Sequence, residues 1–513
     1  MGKPVVCVNG VTFRYEGCAL PAISDINLQL DKGEFISITG SSGCGKSTLA
    51  LCLAGFIPHH VAGEMCGSVI INGLDSQQYP PSKLAGIVGL VQQDPEAQMC
   101  TLRVIDEVAF GPENLCLSRK EIKDRVEWAL EAVNSLHLRD REIYSLSGGE
   151  KQRIAIASVL AMQPSLIILD EPTANLDPVG TVEVLQVIKK LEADTAVIII
   201  EHRLKQLMPI SDRLLIMDKG RIICDGKPDQ VYREFRCGQK RFYAAGFKPG
   251  EREGPSQPAA GEKELCLKPS PVLSVSDLSV NLGEKSVLEN ISFDIFPGQI
   301  TAVMGGNGSG KTTLLLSLLG INKPERGEIF YRGSSISQEK VSLRARNMGM
   351  VFQNPNHQIF ENTVLLEAML PSLMLFKDKA LASDMVNSLL EEFELLQYKE
   401  RLPFSLSFGE KKRLTLVSVL GYQPGILLLD EPLIGQDNLR AEIFWQAVLK
   451  HSSAGGISII VCHDPDFVRN FCDRLLFLDK GTLLLDRPVE EGFNLLKELG
   501  FKEYLPGGSI VEE

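Results

Sequence analysis

The chain has 513 residues, 44% of them hydrophobic, and a formal charge of −12 from 53 Lys+Arg against 65 Asp+Glu. That length is too great for one ordinary core and predicts several units, and the acidic balance counts against broad nucleic-acid binding, which needs phosphate-neutralising cations. No segment approaches the roughly 18 continuous apolar residues that span a bilayer, and the most apolar candidate, Thr363 to Phe376, is interrupted by Glu367 and Pro371.

Neither a secretory signal nor the N-myristoylation pattern opens the chain, position 6 being Val6, so membrane association is expected to go through a partner. Val5–Tyr15 and Ile23–Leu30 read as a hairpin with a Gly-containing turn. Phe35–Thr39 is a short apolar strand feeding GSSGCGKST, Gly40–Thr48, which fits the phosphate-loop pattern G-x-x-x-x-G-K-[ST] and opens a helix near Lys46. Residues 94–145 are helical and more polar. There Ser118 with Glu121 predicts a capping box, and Ile122, Val126, Ala129, Val133 and Leu136 predict one apolar helical stripe. LSGGEKQR, Leu146–Arg153, follows, and then LIILDEP, Leu166–Pro172. Its apolar run reads as a buried parallel strand that delivers Asp170 and Glu171 to its C-terminal tip, where open α/β sheets bind ligands. Val197–Ile200, before His202, is another buried strand, and Asp212–Gly226 reads as strand, turn, strand.

From about Ala244 to Ser270 the chain is rich in Pro, Gly and charge, as a linker is. The plan then repeats from Pro271 with GGNGSGKTT at Gly305–Thr313, LSFGEKKR at Leu406–Arg413, ILLLDEP at Ile426–Pro432 and a strand–turn–strand at Asp473–Arg487. Gln93 and Gln353, Ser147 and Ser407, and Asp170 and Asp430 are each 260 apart, His202 and His463 are 261 apart, and Lys46 and Lys311 are 265 apart. The first copy is therefore five residues longer between its phosphate loop and Gln93, an excess expected around Pro58–Gly67. The expected domains are 1–243 and 271–513, joined by a linker at 244–270. The 12 cysteines form no C-x-x-C pair and no Cys/His cluster at metal-ligand spacing, and are expected to be reduced thiols in a cytosolic protein.

Glycines let successive backbone N–H groups point at phosphates. The nucleotide-binding candidates are therefore Gly40, Ser41, Ser42, Gly43, Cys44, Gly45, Lys46, Ser47 and Thr48, and Gly305, Gly306, Asn307, Gly308, Ser309, Gly310, Lys311, Thr312 and Thr313. Lys46 and Lys311 would reach the β- and γ-phosphates, and Ser47 and Thr312 would offer a hydroxyl to Mg²⁺. Asp170 and Asp430 would hold the Mg²⁺ shell, while Glu171 and Glu431 orient and deprotonate the attacking water.

Taken together, the doubled phosphate loop, LSGGEKQR-type string and DEP-terminated strand resemble the ATP-binding-cassette (ABC) ATPases over nearly the whole chain. The resemblance implies an α/β fold: two ABC-type domains in tandem, each a P-loop RecA-like core with an antiparallel β subdomain and a helical signature subdomain. It implies an ATP hydrolase with ATP and Mg²⁺ as cofactors. His202 and His463 match the switch histidine at the γ-phosphate, Gln93 and Gln353 match the Q-loop glutamine at Mg²⁺ or the water, and Tyr15 matches the aromatic that stacks on adenine. In the family the signature acts in trans, so Ser147, Gly148 and Gly149 would complete the Lys311 site, and Ser407, Phe408 and Gly409 the Lys46 site. Phe408 departs from the pattern, standing where a glycine approaches the γ-phosphate. LIGQD after Glu431 departs from TANLD after Glu171, and Leu282 stands in the place of Tyr15. The two signature-side departures predict asymmetry, with the Lys311/Glu431/His463 site the faster.

QQDPEAQMCTLRVIDEVAFGPENL, Gln92–Leu115, looks like the Q-helix region of energy-coupling-factor (ECF) and cobalt-type importer ATPases, and the second copy keeps FQNPNHQIFENTVLLEAML. The resemblance implies docking of a membrane T component on Asp94–Asn114 and Asn354–Leu375, with a separate S component binding a vitamin, a vitamin precursor such as a thiamine-type pyrimidine, or a metal ion. Most apolar residues of Val364–Phe376 are expected to be helical-subdomain core. The alternatives are a tandem sugar-importer ATPase and a soluble ABC-F translation factor. The first usually carries its irregular signature in the first copy, and the second carries a long charged helical linker. A ribosome-recycling ATPase would need an N-terminal iron–sulfur cysteine cluster. The expectation is a peripheral protein on the cytoplasmic face of the cell membrane, without nucleic acid, whose cassettes pair within the chain or as a homodimer.

Overall fold

The computed structural model describes residues 4–41, 43–173, 176–189, 195–201, 207–233, 270–283, 285–375, 379–434 and 438–506. The chain divides into two units, the first within Met1–Phe247 and the second within Lys248–Gly508. Of the expected linker only Ser270 lies within the described residues, and His202 and Ser42 lie outside them.

In the first unit, strands β1 (Val6–Tyr15), β2 (Ile23–Leu30), β4 (Gly63–Ile71) and β5 (Leu74–Asp75) form an antiparallel sheet in the order β2-β1-β4-β5. β3 (Phe35–Gly40), β6 (Val88–Val91), β7 (Leu166–Asp170), β8 (Ala196–Ile200), β9 (Arg213–Asp218) and β10 (Arg221–Gly226) form the second sheet, β10-β9-β3-β8-β7-β6, parallel except for the β9–β10 hairpin. FISITG, LIILD and AVIII are buried at nearly every position, with Ser37, Thr39 and the strand-end Asp170 their only polar side chains, because both faces of this sheet are covered. Val88, Leu166, Ile168, Ile198 and Ile200 pack with the phosphate-loop helix Lys46–Leu53 and the antiparallel sheet. Val91, Ile167, Leu169, Val197 and Ile199 pack with the helical subdomain.

The second unit repeats this with β11 (Leu273–Leu282), β12 (Lys285–Ile295), β14 (Arg326–Tyr331) and β15 (Ser334–Ser335) in one sheet. Its parallel sheet runs β16 (Met348–Val351), β17 (Ile426–Asp430), β18 (Ile457–Val461), β13 (Ile300–Gly305), β19 (Arg474–Asp479), β20 (Thr482–Pro488).

The five extra residues of the first copy lie between two glycines. Gly55 and Gly320 follow the phosphate-loop helices, and Gly67 and Gly327 sit in the next strand at φ +88 in both units. The interval between them holds an added helix, Phe56–His59, in the first unit.

Three local expectations need correction. The helix Arg119–Ala132 ends before Leu136, which is 38% exposed in a following 3-10 turn, so Leu138 fills the core there instead. Ser118 does cap this helix, but Glu121 turns its carboxylate to Arg125 at 2.8 Å, so the reciprocal half of the box is replaced by an i,i+4 ion pair. Complete capping boxes open the signature helices instead, from Ser147/Glu150 and Ser407/Glu410. The helix Val364–Leu375 is also less buried than its composition suggests. Val364 and Ala368 are core, while Leu366, Met374 and Leu375 are exposed, because only one side of the helix meets the subdomain.

Gly67 and Gly327 sit against the bulges of β1 and β11. A Cβ on Gly67 would lie 2.5 Å from the Gly10 carbonyl oxygen, and one on Gly327 2.5 Å from the Asp277 carbonyl oxygen. Left-handed backbone and overlap act together, so Gly67→Ala and Gly327→Ala are each expected to cost more than about 1 kcal/mol, read as a lowered melting temperature.

Candidate active site

Parallel strands place their C-terminal tips along one edge, about 4.8 Å apart. The sheet order therefore sets the order of chemistry. In the second unit the tips of β13, β18, β17 and β16 carry the glycine loop, His463, Asp430 with Glu431, and Gln353 in turn. In the first unit β3, β7 and β6 carry the loop, Asp170 with Glu171, and Gln93.

Each loop leaves its strand through a glycine with no room for a side chain. A Cβ would meet the Met217 carbonyl oxygen at 2.1 Å from Gly40, and that of Leu478 at 2.1 Å from Gly305. Gly43, Gly45, Gly308 and Gly310 also have positive φ, and Gly45 and Gly310 stand directly before the helices Lys46–Leu53 and Lys311–Leu319. Lys46 Nζ donates to the carbonyls of Gly40 (2.9 Å) and Ser41 (3.0 Å), and Lys311 Nζ to those of Gly305 (2.9 Å) and Gly306 (2.8 Å). Both ammonium groups are thus folded over their own loops. Cys44 is buried with its Sγ 3.8 Å from Lys46 Nζ, and burial pushes its thiol pKa up; Ser309 is the buried counterpart in the second loop. Asn307 is exposed, and Thr48 is buried in the first helix, its hydroxyl 3.0 Å from that of Tyr15. Thr313 is half-buried. Tyr15 ends β1 beside the loop helix, and Leu282 ends β11, 47% exposed.

The second residue of each helix meets the strand-end aspartate. Burial pushes the Asp170 carboxyl up to about 6, opposed by a hydrogen bond with Ser47. Thr312 Oγ1 lies 2.8 Å from Asp430 Oδ2, and there too burial raises the carboxyl, with the Glu431 charge adding to the effect. The following glutamates adopt left-handed backbone, φ +49 at Glu171 and +47 at Glu431, which turns each chain sharply at the strand end. Gln93 Nε2 donates to Glu171 Oε2 at 2.7 Å, whereas Glu431 Oε1 is held by His463 Nε2 at 2.6 Å. Gln353 is half-buried.

Ser147 and Ser407 cap the signature helices Gly148–Leu160 and Phe408–Leu420 with the same extended geometry, while Gly149 and Gly409 are buried. A Cβ at Gly148 would meet nothing within 4 Å, and so Phe408, in the matching place, leaves the cap intact. Four side chains carry parts of the site that sequence reasoning missed. Lys412, fully buried, donates to the carbonyls of Phe352 (3.0 Å), Glu431 (3.0 Å) and Asp430 (3.4 Å). Burial pushes its ammonium pKa down to about 8, against the charges of Asp430 and Glu431. Glu201, also buried, accepts from Thr173 N at 3.1 Å and from the Thr173 hydroxyl, fixing the turn after Glu171. Glu107 accepts from the backbone N of Cys100 (3.1 Å) and Thr101 (2.9 Å), and Glu367 from Phe360 and Glu361 (both 2.8 Å). The signal for these last two was available: a glutamate 260 residues apart inside an otherwise divergent segment.

The donor set fits MgATP. Lys46 and Lys311 with their glycine loops would hold the phosphates. Ser47 with Asp170 and Thr312 with Asp430 offer hard oxygens, and the buried carboxylates have a charge that a divalent cation would compensate. Bound Mg²⁺ would supply charge neutralisation at the transferring phosphoryl.

The ABC transporter family profile matches residues 23–174 and 288–434. A Methanosarcina mazei protein, provisionally named an ABC transporter ATP-binding protein, is 37% identical over 98% of this chain and 92% of its own length. A Bacillus subtilis protein, provisionally named the HMP/thiamine import ATP-binding protein YkoD, is 35% identical over 94% of this chain and 91% of its own length. Among solved structures, cbiO1 of Clostridium perfringens, described as part of the ABC transporter complex cbiONQ, is 28% identical with a TM-score of 0.40, covering 45% of this chain and 96% of that chain.

A carboxyl raised from 3.8 to about 6 costs the folded state stability once pH exceeds the lower value, and the penalty is complete above the higher one. Without nucleotide or magnesium, Asp170→Asn is therefore expected to melt higher than the parent at about pH 8, by up to about 3 kcal/mol, with the difference vanishing towards about pH 4. Thermal melts across that range check it.

Proposed function

The chain belongs to the family of ABC transporter ATP-binding proteins, ATPases that use MgATP and work with membrane components, and on that premise we propose that it is the energy-coupling subunit of an ECF-type importer. In this reading Glu171 and Glu431 act on the attacking water, Asp170 and Asp430 hold Mg²⁺, Gln93 and Gln353 touch Mg²⁺ or the water, and His202 and His463 contact the γ-phosphate. The reading places the protein at the cytoplasmic face of the cell membrane, on a membrane T component whose S component binds the solute. The solute is a vitamin, a vitamin precursor or a metal ion, with a thiamine-type pyrimidine first among them, since HMP/thiamine stands in the name of the Bacillus subtilis relative.

The observation that carries the transport reading is the apolar surface beside each Q-loop. Leu102 is 77% exposed and Phe110 48% in the first unit. In the second, Phe360 is 75% exposed and Met374 77%, with Leu366 exposed as well. Burial of such side chains by a partner is favourable by about 25 cal/mol per Å², and these five lie in the segments that follow the two Q-loops. No helix among the described residues is long and apolar enough to cross a membrane, which fits a subunit that docks on one.

The test is purification of the tagged chain from detergent-solubilised membranes of its host. One or two small integral membrane proteins in the eluate support the reading, and ribosomes without any membrane protein overturn it. Leu102→Asp combined with Phe360→Asp is expected to lower recovery of those membrane proteins by about 10-fold or more, with melting temperature as the check on folding.

The asymmetry of the sites is part of the proposal. Phe408 and the Leu433–Asp437 segment both depart from the family pattern, and 435–437 of that segment lie outside the described residues. Glu431→Gln is expected to lower ATP turnover more than Glu171→Gln. Equal losses in a steady-state phosphate-release assay, or the reverse order, would sink the asymmetry.

A further inference from the structure

Lys412 lies one turn into the signature helix Phe408–Leu420, with its side chain turned inward and no solvent exposure. A buried ammonium is unfavourable unless its donors are matched, and an apolar side chain of the same length is often the more stable choice. Lys412 matches its three donors with three carbonyls at the ends of two neighbouring strands. Phe352, at 3.0 Å, follows β16 and directly precedes Gln353; Asp430, at 3.4 Å, ends β17; and Glu431, at 3.0 Å, is the residue in left-handed backbone. One cation thus ties the signature helix to the root of the Q-loop and to the peptide that aims the Glu431 carboxylate.

The first unit is built differently at the same place. Gln152 occupies the matching position, is just as buried, and its side-chain amide makes no hydrogen bond among the described residues. There the tether runs through a side chain instead, from Gln93 to the Glu171 carboxylate. Stability alone does not account for a lysine where the other copy folds with a neutral residue.

We propose that Lys412 is a positioning residue of the second ATP site, locking the signature helix, the root of the Q-loop and the Glu431 peptide so that they move together during turnover. The proposal rests on the reading in which Glu431 carries the faster hydrolysis. It concerns this chain's second cassette, and no counterpart acts in the first.

The test compares Lys412→Met, Lys412→Gln, Gln152→Met and Glu431→Gln in the full chain, measuring kcat and KM for MgATP together with the melting temperature. Lys412→Met is expected to lower kcat by about 10-fold or more while KM changes by less than about 2-fold, because misplacement at the reacting centre is felt mainly in turnover. Its melting temperature is expected to fall by a few degrees at most, because loss of the buried ammonium's desolvation cost offsets part of what the three carbonyls lose, and kcat is read well below that transition. Lys412→Gln, which installs the side chain of the first copy, is expected to lose turnover in the same way, and Gln152→Met to change kcat by less than about 2-fold. If Glu431→Gln abolishes turnover while Lys412→Met leaves it intact, the proposal fails and the site reading stands. If Glu431→Gln leaves turnover intact, the site reading fails and takes the proposal with it. A fall in kcat that only follows a fall in melting temperature, or a chain that folds with neither Met nor Gln at position 412, makes Lys412 structural and overturns the proposal.

Discussion

Asp430 lies almost wholly out of solvent at the tip of β17, and Asp170 holds the same place on β7; in both, burial drives the carboxyl towards its neutral form. Much of the rest of each cassette answers that constraint. The hydroxyl of Ser47 or Thr312 reaches the carboxylate from the first turn of the loop helix. The lysine one residue earlier lowers its pKa through space. The loop helix can stand so close because the glycines before it adopt backbone that a side chain would obstruct. A site left this short of solvation is well suited to a divalent cation, since the cation restores the charge balance that folding has disturbed.

The two copies meet the constraint with different parts, although their strands and helices run in the same order. In the first, Glu201 binds Thr173 and so fixes the turn after Glu171. In the second, the matching positions hold Cys462 and Leu433, which cannot form that pair. The second instead has Lys412 beneath the turn, where the first has Gln152. The first ties Tyr15 to Thr48 beside its loop, while the second ends the equivalent strand in an exposed Leu282. Such differences leave the backbone alone and act on the immediate surroundings of the carboxylates, where a shift of a few tenths of an ångström in a hydrogen bond matters most.

The fold was legible because its strands are extreme. LIIL ahead of Asp170 and AVIII are unbroken apolar runs, the pattern of a parallel strand covered on both faces. The glycine loops and the Asp-Glu pairs were equally plain, being fixed by sterics and charge. What the sequence hid were side chains whose role depends on a partner far along the chain. Lys412 reads as one more charge in a KKR run, and only the fold brings Phe352 to it. Leu136 failed for the opposite reason. Periodicity continued past the point where the helix had ended, and Leu138 took the core place from a 3-10 turn. The exposed side of the Val364–Leu375 helix was hidden as well, because composition reports how apolar a helix is and leaves open which side is covered.

The Q-x-x-P-x-x-Q string acquires a physical meaning from the turn it builds. The Gln98 side-chain oxygen accepts from the backbone N of Gln92 at 3.1 Å, and Asp94 caps the short helix between them. Gln358 and Asn354 repeat the arrangement, the former accepting from Phe352 N at 3.4 Å. Immediately beyond, Glu107 or Glu367 gathers the next backbone N–H groups into a loop that holds Leu102 or Phe360 in solvent. The path from Gln93 or Gln353 to the apolar surface is therefore a series of side-chain-to-backbone bonds. A segment held in this way passes on a displacement as a whole, because packed and bonded elements deform poorly. In the importer reading, a push on that surface by a membrane partner would reach Gln93 and Gln353 as movement of the strand tip. In the second cassette Lys412 would carry it one step further, from Phe352 to the peptide of Glu431.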